Sequence, residues 1–306
     1  MIALFRRFSA VLAMMVVMVS TLFGQATTYD FVQRDTCTLK LDVYRPTVEN
    51  NRCCVLFVFG GGFVFGQRDH KDYVKFAQKL NERGYTFVSI DYRLGLKGAN
   101  MKGVHVIHSL EYAIRIAVED LFSATEYLLQ HADELGFDRD KIVLCGSSAG
   151  AITVLQADYE LCNRREIAAA LPSDFHYAGV MSFSGAIFSR NGAVKYAEPP
   201  APTLFFHGIE DHLVTYKSIR FANYGFFGTK PLVKRFAKFH YPYIVRRYKG
   251  LGHEVAATMN HEVRTCDEFM RRCVLKKEWM QMDATLDDPG IKPAVWGKYR
   301  AKDLYK

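Results

Sequence analysis

The sequence predicts an α/β fold: a mostly parallel central sheet flanked by helices on both faces, with small lid insertions. Three observations carry this. From residue 53 onward, strand-like apolar runs alternate with amphipathic helical stretches, the pattern of a parallel sheet covered by helices. Residues 53–59, CCVLFVF, are continuously apolar, as a strand buried on both faces must be. Glycine-rich or polar segments follow the strands at 60–62, 146–150, 207–211 and 250–254, and sheets of this kind bind ligands at the carboxyl ends of their strands.

In chain order, residues 27–46 read as an opening hairpin, with strands at 29–32 and 39–44; alternation in the second is clear. The buried strand at 53–59 ends at Gly60-Gly61-Gly62. Residues 72–83 form an amphipathic helix closed by Gly84, and a strand follows at 85–91. A glycine-containing loop at 95–105 leads to a long helix at 110–135, with Ala113, Ala117, Leu121, Ala124 and Leu128 at helical spacing. The strand at 141–145 runs into Gly146-Ser147-Ser148-Ala149-Gly150 and a new helix. An interrupted helical stretch at 157–177 contains Pro172; strands follow at 179–183 and 202–206. Residues 216–240, rich in aromatics and Lys, suggest short helices, and 243–248 is the last strand. A terminal helix is expected at 255–281 and a loosely packed tail at 282–306. Residues 27–281 then form one domain, with lids at 157–177 and 216–240.

The 306 residues are 49% apolar and 24% charged, which suits a sizeable core. The formal charge is +8, but the basic residues are dispersed and no Lys/Arg run is interleaved with aromatics as a nucleic-acid module would require. The charge reads as solubility, and no nucleic-acid partner is expected. Residues 1–26 have the layout of a cleavable signal peptide: Arg6-Arg7, an apolar stretch over 10–18, then small residues at Gly24 and Ala26. The apolar stretch is short for a bilayer span. A secreted or periplasmic location without a stable membrane anchor is therefore expected. Seven cysteines are present without a C-x-x-C pair, so no zinc site is indicated. Cys53, Cys54 and Cys145 fall on buried strands as small hydrophobes. Export would permit a disulfide among Cys162, Cys266 and Cys273.

The chemistry centres on the strand–turn–helix at 146–150. G-x-S-x-G in that context is a nucleophile elbow, with Ser148 at the tip and its hydroxyl exposed. Ser147 is the local rival. A serine nucleophile needs a base and an acid to orient that base. Asp211, just past a strand, is the candidate acid, with Glu210 as its rival. His253, between a glycine-rich loop and a helix, is the candidate base. His207 precedes the acid and reads as a structural hydrogen-bonder. Gly60-Gly61-Gly62 lets backbone approach a substrate and turn its N–H groups inward, and the N–H of Ala149 is the second oxyanion donor. A phosphate-binding reading lacks the following Lys-Ser/Thr and dinucleotide spacing.

These motifs resemble the α/β-hydrolase superfamily, in its carboxylesterase branch of hormone-sensitive-lipase-like and feruloyl or acetylxylan esterase-like enzymes. Matching segments run over residues 41–254. The family's H-G-G-G stands here as Phe59-Gly60-Gly61-Gly62, its Y-R-L as Tyr92-Arg93-Leu94, its H-G-x-x-D as His207 to Asp211 and its G-x-G-H as Gly250 to His253. The resemblance implies oxyanion donors at Gly61, Gly62 and Ala149. Phe59 departs from it, standing where the family has a loop-supporting His.

The reading is a secreted serine carboxylester hydrolase with a Ser148–His253–Asp211 triad and an acyl-enzyme intermediate, requiring no metal or cofactor. Its substrate would be a short-chain or carbohydrate-linked acyl ester. The alternatives are a small serine aminopeptidase of the same fold and a catalytically silent hydrolase-fold binding protein.

Overall fold

The structure, a computed structural model, describes residues 26–101, 103, 105–300 and 303. The expected signal segment, apart from Ala26, lies outside the described residues.

The chain begins with an antiparallel hairpin of β1 (Thr27–Gln33) and β2 (Thr38–Tyr44). Then come β3 (Cys54–Val58), α1 (Lys71–Asn81), β4 (Thr86–Ile90), α2 (His105–Leu135), β5 (Ile142–Ser147) and α3 (Ala149–Cys162). Next are β6 (Gly179–Phe183), β7 (Ala186–Ser189), β8 (Thr203–Gly208), β9 (Ser218–Phe221), β10 (Tyr224–Gly228) and α4 (Thr229–Lys238). β11 (Tyr243–Tyr248), α5 (Val263–Phe269) and β12 (Gln281–Leu286) complete it.

The main sheet runs β1-β2-β4-β3-β5-β6-β8-β11-β12. β1–β2 and β2–β4 are antiparallel, and the other pairs are parallel. Every residue of β3, β4, β5, β6 and β8 is buried, so both faces of the sheet's centre are covered. That is why residues 53–59 read as a continuous apolar run. Phe183 and Phe206 stack on neighbouring strands with ring centroids 4.3 Å apart. At the hairpin side the buried Asp120 carboxylate on α2 accepts from the Arg93 side chain at 2.9 Å, from the Arg93 N–H at 2.8 Å and from Arg34 at 2.9 Å.

The structure departs from the sequence-based expectation in four places. α2 starts at His105, inside the expected loop. Residues 216–228 are not helical: β9 and β10 form a hairpin that joins β7 in a separate antiparallel sheet. β9 is exposed along its length, so it lacks the alternation that would mark a strand. The expected terminal helix is three short segments: a 3₁₀ stretch over His253–Asn260, α5, and a π-helical turn over Met270–Leu275. The tail is not loose, since β12 pairs in parallel with β11 and a 3₁₀ turn follows at Val295–Lys298. No residue of β12 is buried and half of them are exposed, so backbone pairing does more than side-chain burial to hold it.

All seven cysteines are free, so no disulfide joins Cys162, Cys266 and Cys273. Burial pushes the Cys53 thiol up to about 12 and raises Cys54 and Cys145 well above the ordinary thiol range, and these thiols act as packing groups. No helix among the described residues is long and apolar enough to cross a membrane.

α3 is buried nearly all round and carries Asp158, whose carboxylate accepts the Ala201 N–H at 3.3 Å. Burial pushes this carboxyl up to about 7. Between the ordinary carboxylate range and pH 7 the folded chain keeps a proton that the unfolded chain has released. Stability therefore falls as pH rises through this window. Urea unfolding of the wild type should show that fall between about pH 4 and 7. Asp158→Asn should flatten it, and parallel pH curves for the two proteins would contradict this account.

Candidate active site

The β5–α3 turn places Ser148 at φ 53°, ψ −116°, a left-handed region costing a non-glycine residue about 1–2 kcal/mol. The Ser148 N–H donates to the Phe183 carbonyl at 2.9 Å, and the Ser148 carbonyl accepts the Ile152 N–H at 2.9 Å. The turn is possible only without side chains on its flanks. A Cβ on Gly146 would lie 2.3 Å from the Gly150 carbonyl oxygen, and one on Gly150 would lie 2.0 Å from that of Val58.

The structure brings Ser148, His253 and Asp211 together. Ser148 Oγ lies 2.7 Å from His253 Nε2, and His253 Nδ1 lies 2.8 Å from Asp211 Oδ2. His253 opens the 3₁₀ segment rather than sitting in a loop. Glu210, the rival acid, is exposed. Ser147, the rival nucleophile, donates instead to the Ala256 carbonyl at 2.8 Å, tying the elbow to the His253 segment. Asp211 and His253 come from the loops after β8 and β11, which are bound to each other. Ile209 N–H donates to Tyr248 O and Glu210 N–H to Leu251 O, both at 2.9 Å.

Asp211 is fixed by more than His253. Its Oδ1 accepts the N–H groups of Leu213 and Val214 at 2.9 and 3.0 Å. Its Oδ2 also lies 3.3 Å from His207 Nε2. That nitrogen is 3.0 Å from the Val214 carbonyl, which can only accept, so Nε2 carries the proton. His207 Nδ1 then accepts from Thr229 Oγ1 at 2.8 Å. Burial alone would raise the Asp211 carboxyl. The two imidazoles outweigh it and hold the group far below the usual carboxylate range. With Asp211 ionised at Nδ1, the His253 ring keeps its proton there and turns an accepting Nε2 toward the serine hydroxyl. His207 therefore bears on the acid directly, which its spacing in sequence could not reveal.

The glycine loop runs beside the elbow. Gly61 and Gly62 have φ of 120° and 63°, and the Gly61 carbonyl accepts the N–H groups of Val64 and Phe65 in a tight turn. Phe59 is buried against Tyr92 with centroids 4.5 Å apart, and the Tyr92 hydroxyl donates to the Phe59 carbonyl at 3.1 Å. An aromatic ring thus supports the loop where the related motif has a histidine.

Two chambers meet at Ser148 and Gly62. One, of about 410 Å³, includes Gly61, His253, Asp72, Asn260, Trp296 and Tyr299. The other, of about 250 Å³, includes Ala149, Ile107, Leu110, Ile152, Phe221 and Phe226. Gly61, Gly62 and Ala149 all line the space around the serine. Trp296 and Tyr299 belong to the segment expected as a tail. Trp296 meets the His253 ring edge-to-face, with centroids 6.3 Å apart. A second polar cluster, His261, Glu262 and Asp288, has its ligand atoms within 4.8 Å of one another. Glu262 there already accepts from Tyr248, Thr265 and Arg246, so its carboxylate is committed to protein donors.

The BD-FAE family model matches residues 41–187. The propionate-bound structure of Thermogutta terrifontis esterase 2 aligns with a TM-score of 0.58 at 20% identity, over 86% of this chain and 98% of that one, a likeness of fold. The chain has the α/β-hydrolase fold. Among curated relatives, the arylesterase of Saccharolobus solfataricus is 31% identical over 37% of this chain and 32% of its own. Gut esterase 1 of Caenorhabditis briggsae is 30% identical over 39% of this chain and 20% of its own. The chain thus spans a third or less of these relatives' length. The resemblance lies in the carboxylesterase branch.

Gly150→Ala should destabilise the protein by about 3 kcal/mol or more, because its Cβ would lie 2.0 Å from the Val58 and 2.6 Å from the Phe59 carbonyl oxygen, both rigid backbone. Gly192→Ala, where nothing lies within 4 Å of the added Cβ, should cost about 1 kcal/mol for its positive φ alone. Denaturant midpoints of the two variants check this, and equal losses would refute it.

Proposed function

We propose that this α/β-hydrolase is a serine carboxylester hydrolase. The observation that carries the reading is the Ser148–His253–Asp211 relay at 2.7 and 2.8 Å, set beside the glycine loop. His253 Nε2 takes the Ser148 proton as Oγ attacks the ester carbonyl. Asp211 holds the imidazole in the required tautomer and balances the imidazolium that forms. The carbonyl oxygen becomes an oxyanion received by backbone N–H groups of Gly61, Gly62 and Ala149, in a site built before substrate arrives. His253 then gives its proton to the departing alkoxide. Water, deprotonated by the same nitrogen, opens the acyl-enzyme and restores the serine.

The direction of proton transfer assigns the chambers. The leaving oxygen must reach His253, so the alcohol occupies the 410 Å³ chamber, which His253 lines. The acyl group occupies the 250 Å³ apolar chamber beside Ala149. Trp296 and Tyr299 offer aromatic faces, and Asp72 and Asn260 offer polar groups, a combination suited to a carbohydrate-linked hydroxyl. The substrate class is therefore a short-chain or carbohydrate-linked acyl ester. The esterase names of the relatives support this chemistry. The layout of residues 1–26 supports action outside the cytoplasm after export.

Ser148→Ala should lower kcat on p-nitrophenyl acetate roughly 10⁴-fold or more while leaving the urea midpoint near the wild-type value. Comparable turnover in that variant would place the nucleophile elsewhere. Faster release from an alanine p-nitroanilide than from the ester would favour an aminopeptidase, and no turnover of either would favour a binding protein. In a host with the matching export machinery, the mature protein should begin at Thr27, as read by N-terminal sequencing. An intact Met1 on the exported protein would contradict cleavage.

A further inference from the structure

The apolar chamber does not end in the middle of the protein. It lies on the seam between α2 and α3, where Ile107 and Leu110 face Ile152. One turn further along the same two helices lies a larger groove of about 760 Å³, reached through Glu111, Ile114 and Val118 on α2 and Gln156 and Tyr159 on α3. Its floor is apolar, since Ile114, Val118 and Tyr159 are buried. Its rim is charged, with Arg115, Arg165 and Arg190 among the residues there. The chamber and the groove share one residue, Phe188 of β7.

The backbone of Phe188 is held at that junction by the carboxamide of Gln156. Its N–H donates to Gln156 Oε1 at 2.9 Å, and its carbonyl accepts from Gln156 Nε2 at 3.1 Å. Gln156 Nε2 also donates to Glu160 at 2.6 Å. The Phe188 ring meets Tyr224 of the chamber wall with centroids 6.1 Å apart. Just beyond β7, Arg190 forms an ion pair with Glu111 of α2, fastening the strand end across the seam. These bonds fix the Phe188 backbone, and with it the point from which the ring projects into the junction, because moving that backbone would leave two polar groups of Gln156 without partners.

We propose that the chamber and the groove are two parts of one acyl channel, that Phe188 divides them, and that Phe188 thereby sets the length of acyl chain the enzyme accepts. The groove beyond it suits the distal methylenes of a fatty acyl chain: an apolar floor for the chain and a charged rim left in water. This inference rests on the assignment of the apolar chamber to the acyl group.

The test uses the full chain and a series of p-nitrophenyl esters from acetate through butyrate and octanoate to laurate. The wild type should lose efficiency steeply once the chain outgrows the inner chamber. Phe188→Ala should raise the laurate-to-butyrate ratio of kcat/KM by roughly ten-fold or more, mainly through a lower KM for laurate. Phe188→Leu, which keeps an apolar side chain on the same backbone, should shift the ratio in the same direction by less and guards against a folding defect in the alanine variant. Adding Ile167→Trp, at a residue that lines the groove but not the inner chamber, to Phe188→Ala should bring the ratio back down if the chain runs through the groove. An unchanged ratio in folded Phe188→Ala and Phe188→Leu would overturn the proposal. A raised ratio that Ile167→Trp leaves untouched would also overturn it, since the chain would then stay within an enlarged inner chamber. A wild type that cleaves none of the esters would instead refute the esterase reading.

Discussion

The structure depends on strands and loops passing each other where no side chain stands between them. At the elbow, Gly150 passes the end of β3 so closely that a Cβ would sit 2.0 Å from the Val58 oxygen. Between the acid and base loops, a Cβ on Gly208 would sit 2.2 Å from the Gly252 oxygen. These two crossings set the distance between the strand ends that carry Ser148, Asp211 and His253. Ser148 keeps a strained backbone, and the bonds to Phe183 and Ile152 hold it there. Because the Ser147 hydroxyl also grips the Ala256 carbonyl, the base segment moves with the elbow. A relay locked at both ends needs little reorganisation when charge develops, which is where catalytic advantage from preorganised groups arises.

That constraint explains which parts were legible in the sequence. Strands buried on both faces must be apolar throughout, so the sheet's centre could be read directly from residues 53–59 and their successors. Close crossings demand glycine, so the elbow, the glycine loop and the two motif loops announced themselves by composition. The triad Ser148, Asp211, His253 then followed from the strand ends together with the Ser–Asp–His order of the hydrolases the motifs resemble. Elements held by backbone pairing with little burial left no such trace. β9 is exposed and no residue of β12 is buried, and their side chains carry no alternation to detect. Trp296 and Tyr299 reach the space around the serine from a segment whose composition resembles a tail. Phe188, which lines both the chamber and the groove, was equally silent, because it belongs to a four-residue strand in the second sheet.

The same silence covered His207. An imidazole four residues before an acid, at the end of a strand, is compatible with many structural roles. Its meaning appears only when the Val214 carbonyl fixes its proton on Nε2 and Asp211 Oδ2 lies within reach of that proton. Water would ordinarily solvate a carboxylate. Here two backbone N–H groups and two imidazoles take that place, so a fully buried carboxylate stays ionised beside its base.

This arrangement also couples the relay to the wall of the apolar chamber. His207 leans on Thr229, the first residue of α4, and α4 begins where β10 ends. β10 and β9 supply Phe226, Phe221 and Ile219 to the chamber. The hairpin is fastened back at its base, where Gly228 N–H donates to Lys217 O at 2.8 Å and Lys230 N–H to Tyr216 O at 3.0 Å. Tyr216 N–H in turn donates to the Asp211 carbonyl at 3.3 Å. The segment between Asp211 and Thr229 thus starts at the acid, forms the chamber wall, and returns to the histidine that steadies the acid. The shape of the apolar chamber and the geometry of the Asp211–His253 pair are set by one closed loop of chain, so a substitution that reshapes the hairpin acts on Asp211 as well as on the chamber.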